Sequence, residues 1–210
     1  MKKIIILFLL ITSCAVPNLD KRVNYINELN NSEFNNFVYQ NSFAIYSLQK
    51  INNNKEVVVY IEGDGLSWID RFTPSSDPTP KNPLAFKLAK LDQNQNVVYL
   101  ARPCQYIQNN RCQREIWTKL QYSNEIMTNY INILKELKNK HSEVHLVGYS
   151  GGSVIAMYLA SIKELSIKSV RTVAGNIKPN EFTQLLNISP YKTSLNLNAI
   201  ENNIRSVSQS

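Results

Sequence analysis

The sequence is poor in the residues that build metal sites and nucleic-acid interfaces. It has three cysteines, Cys14, Cys104 and Cys112, and two histidines. None of the cysteines makes a zinc-type CxxC pair with a second ligand pair, so no metal and no cofactor is expected. Lys and Arg outnumber Asp and Glu by 23 to 16, but the basic residues are scattered and do not interleave with aromatics, so no nucleic-acid partner is expected. No internal repeat is present. The length allows one packed core and is too short for two, which predicts a single domain. Glycine is scarce, and its placement is informative: five of the six fall in two short clusters, Gly63/Gly65 and Gly148/Gly151/Gly152.

The N-terminus is a basic tip, Lys2-Lys3, followed by an apolar run of about eight residues, too short to cross a bilayer that needs about 20. It reads as a secretory signal. Ile11-Thr12-Ser13-Cys14 resembles the lipobox of bacterial lipoproteins, in which the cysteine is lipidated and becomes the new N-terminus. Residues 1–13 are then a lipoprotein signal peptide and Cys14 an acyl anchor to the cell envelope, outside the inner membrane. An ordinary cleaved signal with an incidental cysteine is the alternative. In that oxidising compartment Cys104 and Cys112 could close a small disulfide loop, the alternative being two free thiols.

Residues 14–33 are polar and Asn-rich and predict a tether with at most one weak helical turn. Alternating apolar positions between Phe34 and Gln49 predict edge strands. The β-branched run Val57 to Ile61 predicts a strand buried on both faces, and Asn96 to Ala101 predicts the next one. Four prolines between Thr73 and Pro83 predict a loop, followed by a short helical stripe from Leu84 to Leu91. Ser123 is a candidate N-cap for a long amphipathic helix reaching Lys140. Strands at 143–147 and 169–173 flank a buried helix over 152–162. Strand and helix alternate, which predicts a mostly parallel central sheet with helices on both faces, a three-layer αβα sandwich over 34–210.

Gly148-Tyr149-Ser150-Gly151-Gly152 matches G-x-S-x-G between a predicted strand and a predicted helix. That context is the nucleophile elbow, where serine sits on a strained turn and Gly148 and Gly152 make room for it. An incidental turn at the start of a helix is the alternative. Acyl transfer needs two amide donors for the oxyanion. Gly151 is the candidate for one, and the Gly63-Asp64-Gly65 loop for the other, through Asp64 N–H or Gly65 N–H. Leu66, Trp68, Phe72, Tyr106 and Trp117 are candidates for an apolar pocket lining, although aromatics of this kind are more often core.

Tyr60-Ile61-Glu62-Gly63-Asp64-Gly65, Asp77 to Pro83, Tyr99 to Tyr106, Trp117-Thr118, Val147 to Gly152 and Val173-Ala174-Gly175-Asn176 together resemble a family of bacterial α/β-hydrolase-fold proteins, many of them secreted or lipid-anchored. The resemblance runs from about Phe43 to Asn198. It implies a serine hydrolase of esterase or lipase type with Ser150 as nucleophile, an Asp and a His on loops after later strands, and a small-molecule or lipid ester as substrate. The chain departs from that pattern. After Ser150 it has no histidine and no aspartate, only Glu164, Glu181 and Glu201, and Lys178 stands where relatives often carry an aspartate. The sequence therefore reads as C-terminally truncated, lacking the last strands. A catalytically inactive, lipid-anchored pseudoenzyme or binding module is the alternative function. His145, five residues before Ser150, is expected to be structural, and His141 to be a solvated loop residue.

Overall fold

The computed structural model describes residues 18–175, 178–185, 187, 190–193, 200 and 207–209. Cys14, the signal segment and Asn176 lie outside them. Among the described residues seven strands form one sheet: β1 (Asn35–Gln40), β2 (Ala44–Ile51), β3 (Val57–Ile61), β4 (Asn96–Leu100), β5 (Val144–Tyr149), β6 (Ser169–Val173) and β7 (Ser208–Gln209). The spatial order is β1-β2-β4-β3-β5-β6-β7. β2 runs antiparallel to both β1 and β4, and every pairing from β4 to β7 is parallel. β2 is thus an interior strand, with β1 alone at that edge.

Among the described residues six α-helices accompany the sheet: α1 (Leu19–Asn30), α2 (Leu84–Leu91), α3 (Arg114–Trp117), α4 (Asn124–Lys140), α5 (Gly151–Ala160) and α6 (Pro179–Leu185). The period of two in β3 sorts the layers. Val57, Val59 and Ile61 pack with Ile126, Tyr130 and Leu134 of α4 and with Ile155 and Leu159 of α5. Val58 and Tyr60 point the other way, onto Phe86 and Ala89 of α2 and the region of Ile26 in α1. A mostly parallel sheet with helices on both faces is the predicted architecture. Among the described residues no helix is long and apolar enough to cross a membrane.

Three expectations need correcting. Of the two strands expected at the edge, β2 is interior, paired to β1 on one side and β4 on the other. The stretch expected to be a tether is the 12-residue helix α1, capped by the Asn18 side chain on Lys21 N–H. It is held by Ile26, with Val23 and Leu29 packed against the core, and by one buried cation. Buried Arg22 donates to the carbonyls of Asp77 and Thr79 and pairs with the Asp77 carboxylate, while Ile26 is fully buried. A polar helix can dock this way because a guanidinium satisfies several acceptors at once. His141, expected in solvent, is 7% exposed, with Nδ1 3.1 Å from the Lys55 carbonyl, and burial lowers its pKa.

Ser123 is the N-cap of α4, its side chain accepting from Ile126 N–H. Ser123→Ala should lower the unfolding free energy by about 1 kcal/mol, read from urea unfolding midpoints at unchanged m-value.

Candidate active site

The turn between β5 and α5 places Ser150 at φ 49°, ψ −121°, a conformation disfavoured for an L-residue with a side chain. The turn is held from both sides. Ser150 N–H donates to the Val173 carbonyl at 2.9 Å, and Ser153 Oγ donates to the Gly148 carbonyl at 2.8 Å. Ser150 is partly exposed at the carboxyl end of the parallel strands. Among the described residues its hydroxyl makes no hydrogen bond.

The two glycine clusters meet here. A Cβ built on Gly63 would lie 3.1 Å from Ser150 Cβ and 3.2 Å from the Tyr149 carbonyl oxygen. Gly65 has φ +62°, and a Cβ there would fall 2.1 Å from the Pro78 carbonyl, so this turn needs glycine. Within the loop Gly63 N–H is taken by Glu62 Oε1 at 2.9 Å and Leu66 N–H by the Pro78 carbonyl. Among the described residues the amides of Asp64, Gly65 and Gly151 donate to nothing. Gly151 opens α5, whose first amides have no partner within the helix and whose positive end faces this corner.

The loop is pinned from beneath. Gln105 Nε2 donates to the Gly63 carbonyl at 3.0 Å, while its Oε1 accepts from Arg102 N–H at 3.0 Å. Arg102, almost wholly buried, donates to Asp64 Oδ1 at 3.0 Å and to the Gln121 carbonyl at 3.0 Å. Between Arg102 and Gln105 stands Cys104, in a disulfide with Cys112. That bond braces the segment that fixes the glycine loop.

The sequence pattern points to Asp64 through its amide. Its carboxylate, 30% exposed, is the larger feature, because a Cβ on Gly151 would land 1.9 Å from Asp64 Oδ1. An Arg-paired carboxylate therefore covers the first residue of α5. Tyr122 and Tyr191 complete the surroundings, with ring centroids 4.9 Å apart, and Tyr122 O–H reaches toward the Gly151 carbonyl. The aromatics named as pocket candidates divide. Tyr106 and Trp117 are buried, the latter donating to the Ser75 carbonyl at 3.3 Å, whereas Trp68 and Phe72 are exposed. Glu62 is 1% exposed behind the loop, and burial raises its pKa to about 7.

Neither histidine is near Ser150. His145 precedes it by five residues along β5, about 16 Å at strand rise, and His141 ends α4 beyond that.

No protein-family model matches the chain, and no curated protein does. Solved structures do match. An esterase of Pyrococcus furiosus aligns with 82% of this chain and 67% of its own at 12% identity and TM-score 0.53. Est1E from Butyrivibrio proteoclasticus aligns with 71% of this chain at 12% identity and TM-score 0.48, and this chain spans 54% of it. A lipase/esterase from Lactobacillus plantarum aligns with 82% of this chain and 71% of its own at 10% identity and TM-score 0.45. The match to the Pyrococcus esterase shows that the fold is that of the α/β-hydrolases.

Proposed function

We propose that this chain carries the nucleophile and oxyanion half of a serine hydrolase acting on carboxylic esters. The observation that supports it is the left-handed Ser150 on its strand-turn-helix bend, set against a glycine loop with free amides. In this reading Ser150 Oγ forms a bond to the ester carbonyl carbon and the alkoxy group leaves. The carbonyl oxygen, negative in the tetrahedral state, takes hydrogen bonds from Gly151 N–H and from Asp64 N–H or Gly65 N–H. The hydroxyl proton needs a base, and among the described residues no imidazole or carboxylate hydrogen-bonds to Ser150 Oγ. That observation favours a second reading, a site that binds without turnover.

An envelope protein anchored through a lipidated Cys14, with a small-molecule or lipid ester reaching the Ser150 corner, accommodates the rest. The Cys104–Cys112 disulfide supports an oxidising compartment.

A fluorophosphonate probe distinguishes the readings. Catalytic function predicts stoichiometric labelling of the wild-type chain, none of Ser150→Ala, and matching hydrolysis of p-nitrophenyl esters. If the wild-type chain labels no faster than S150A, the hydrolase reading fails and the binding module stands.

A further inference from the structure

A second cluster of chemistry-bearing side chains lies at the opposite end of the sheet. Glu56 immediately precedes β3, and Glu143 and His145 lie at the start of β5. The strands hold them side by side, with Val57 paired to Val144 and Val58 to His145, and with Val57 N–H donating to the Glu143 carbonyl at 2.9 Å. His145 Nε2 is 3.9 Å from Glu56 Oε2 and 3.7 Å from Glu143 Oε2. One ligand atom from each of the three residues lies within 4.8 Å of the others.

Each side chain is held by its other polar atom. His145 Nδ1 is 2.7 Å from Ser169 Oγ. Glu143 Oε1 is 3.0 Å from Lys168 Nζ. Glu56 Oε1 accepts from Asn94 Nδ2 at 3.0 Å. The atoms left over, Nε2 and two Oε2, face one another. His145 Nε2 is buried and has no hydrogen-bond partner, because both carboxylate oxygens are beyond hydrogen-bond distance. In the tautomer whose Nδ1–H donates to Ser169 Oγ, Nε2 presents a lone pair to the two carboxylates. A metal ion bound between the three atoms relieves the repulsion of the two carboxylates, as a proton on Nε2 would, and also completes all three ligand atoms at once. Outer partners that orient every ligand are how metal sites are built.

We propose that Glu56, Glu143 and His145 bind one divalent transition-metal ion of the zinc class. Imidazole favours such ions over magnesium or calcium. At about 2.1 Å from each ligand, a tetrahedral zinc would set the ligand atoms about 3.4 Å apart, so each glutamate closes on His145 Nε2 by a few tenths of an ångström, and the two half-exposed carboxylates turn toward each other by up to about 1.4 Å. Glu56 and Glu143 also line a polar groove of about 520 Å³ with Asn53, Lys55, Asn94 and Gln95, which gives the ion access and supplies water to complete its coordination. The ion would clamp the starts of β3 and β5, far from Ser150. The two histidines and the absence of CxxC pairs hide such a site from sequence, because its ligands come together only through the β3–β5 register.

The test is calorimetric titration of the chelator-stripped full chain with zinc chloride, and separately with magnesium and calcium chloride. One saturable zinc per chain is expected, with a rise in Tm and no response to magnesium or calcium. His145→Gln and Glu143→Gln should each weaken zinc at least about 30-fold and Ser169→Ala about 10-fold, in the range seen for ligand-orienting partners. Circular dichroism checks the fold, and Glu143 is exposed enough for its variant to fold if His145→Gln does not. No zinc bound below about 1 mM, or binding undiminished in both E143Q and H145Q, overturns the site.

Discussion

Gly152→Ala should lower the unfolding free energy by about 3 kcal/mol and Tm by about 6–12 °C, far more than the same substitution one residue earlier. Gly152 lies in the first turn of α5 where the helix meets the end of β3. A Cβ there would stand 2.4 Å from the Ile61 carbonyl oxygen and 2.5 Å from that of Glu62. Both atoms are backbone at the end of a strand hydrogen-bonded on both sides, so neither can step aside without moving β3 against β4 and β5. The helix would have to lift, opening the contact of Ile155 and Leu159 with the core. At Gly151 the obstacle is the Asp64 carboxylate, 30% exposed at the end of a side chain that can rotate away. Gly151→Ala therefore trades one ion pair with Arg102 for a new rotamer, a cost of about 1 kcal/mol. Thermal unfolding of both variants checks the order. Equal destabilisation would mean that the helix start tolerates a methyl group, and that the close approach of α5 to β3 is not what holds the Ser150 bend.

The elements that sequence patterning identified are those whose cause is local. The β-branched run 57–61 is β3, the 84–91 stripe is α2, and Ser123 caps α4. The Ser150 bend was legible because glycine is scarce and its two clusters fall at strand ends, where a parallel sheet brings them together. Features that depend on a distant partner were not legible. α1 rests Ile26, Val23 and Leu29 on the core, and Arg22 reaches acceptors 55 and 57 residues away, a tie that no local pattern records. The Asp64 carboxylate lies over Gly151 because Arg102, after β4, holds it there. His141 looked solvated at a helix end, yet the Lys55 carbonyl from the turn before β3 covers it. In each case a single polar side chain answers a group across the fold, and no periodicity records that.

Raising the pH from about 4 to 8 should weaken the native state relative to Glu62→Gln by about 3 kcal/mol, the second large effect expected. Glu62 is buried behind the glycine loop, and burial lifts its pKa from 4.5 to about 7 despite hydrogen bonds from the amides of Gly63 and Ala85 and from Tyr99 O–H. Between those two values the folded protein keeps a proton that the unfolded chain has released. The unfolded state then binds fewer protons, so unfolding free energy falls as pH rises through this window and levels off above about 7. At 1.36 kcal/mol per unit, the displacement is worth about 3 kcal/mol. The neutral form has somewhere to put its proton. It can donate to the Tyr99 oxygen while the Tyr99 hydroxyl turns to Tyr106, whose buried O–H otherwise lacks a partner. A glutamine amide makes the same chain of bonds at every pH. Groups outside the surroundings of Glu62 are common to both proteins and cancel in the difference. Urea unfolding of wild type and Glu62→Gln across pH 4 to 8 should give a stability difference that climbs in favour of the glutamine between about 4.5 and 7. A difference that stays level across that range would mean Glu62 remains ionised in the folded protein, stabilised by its donors as a permanent anion at the base of the glycine loop.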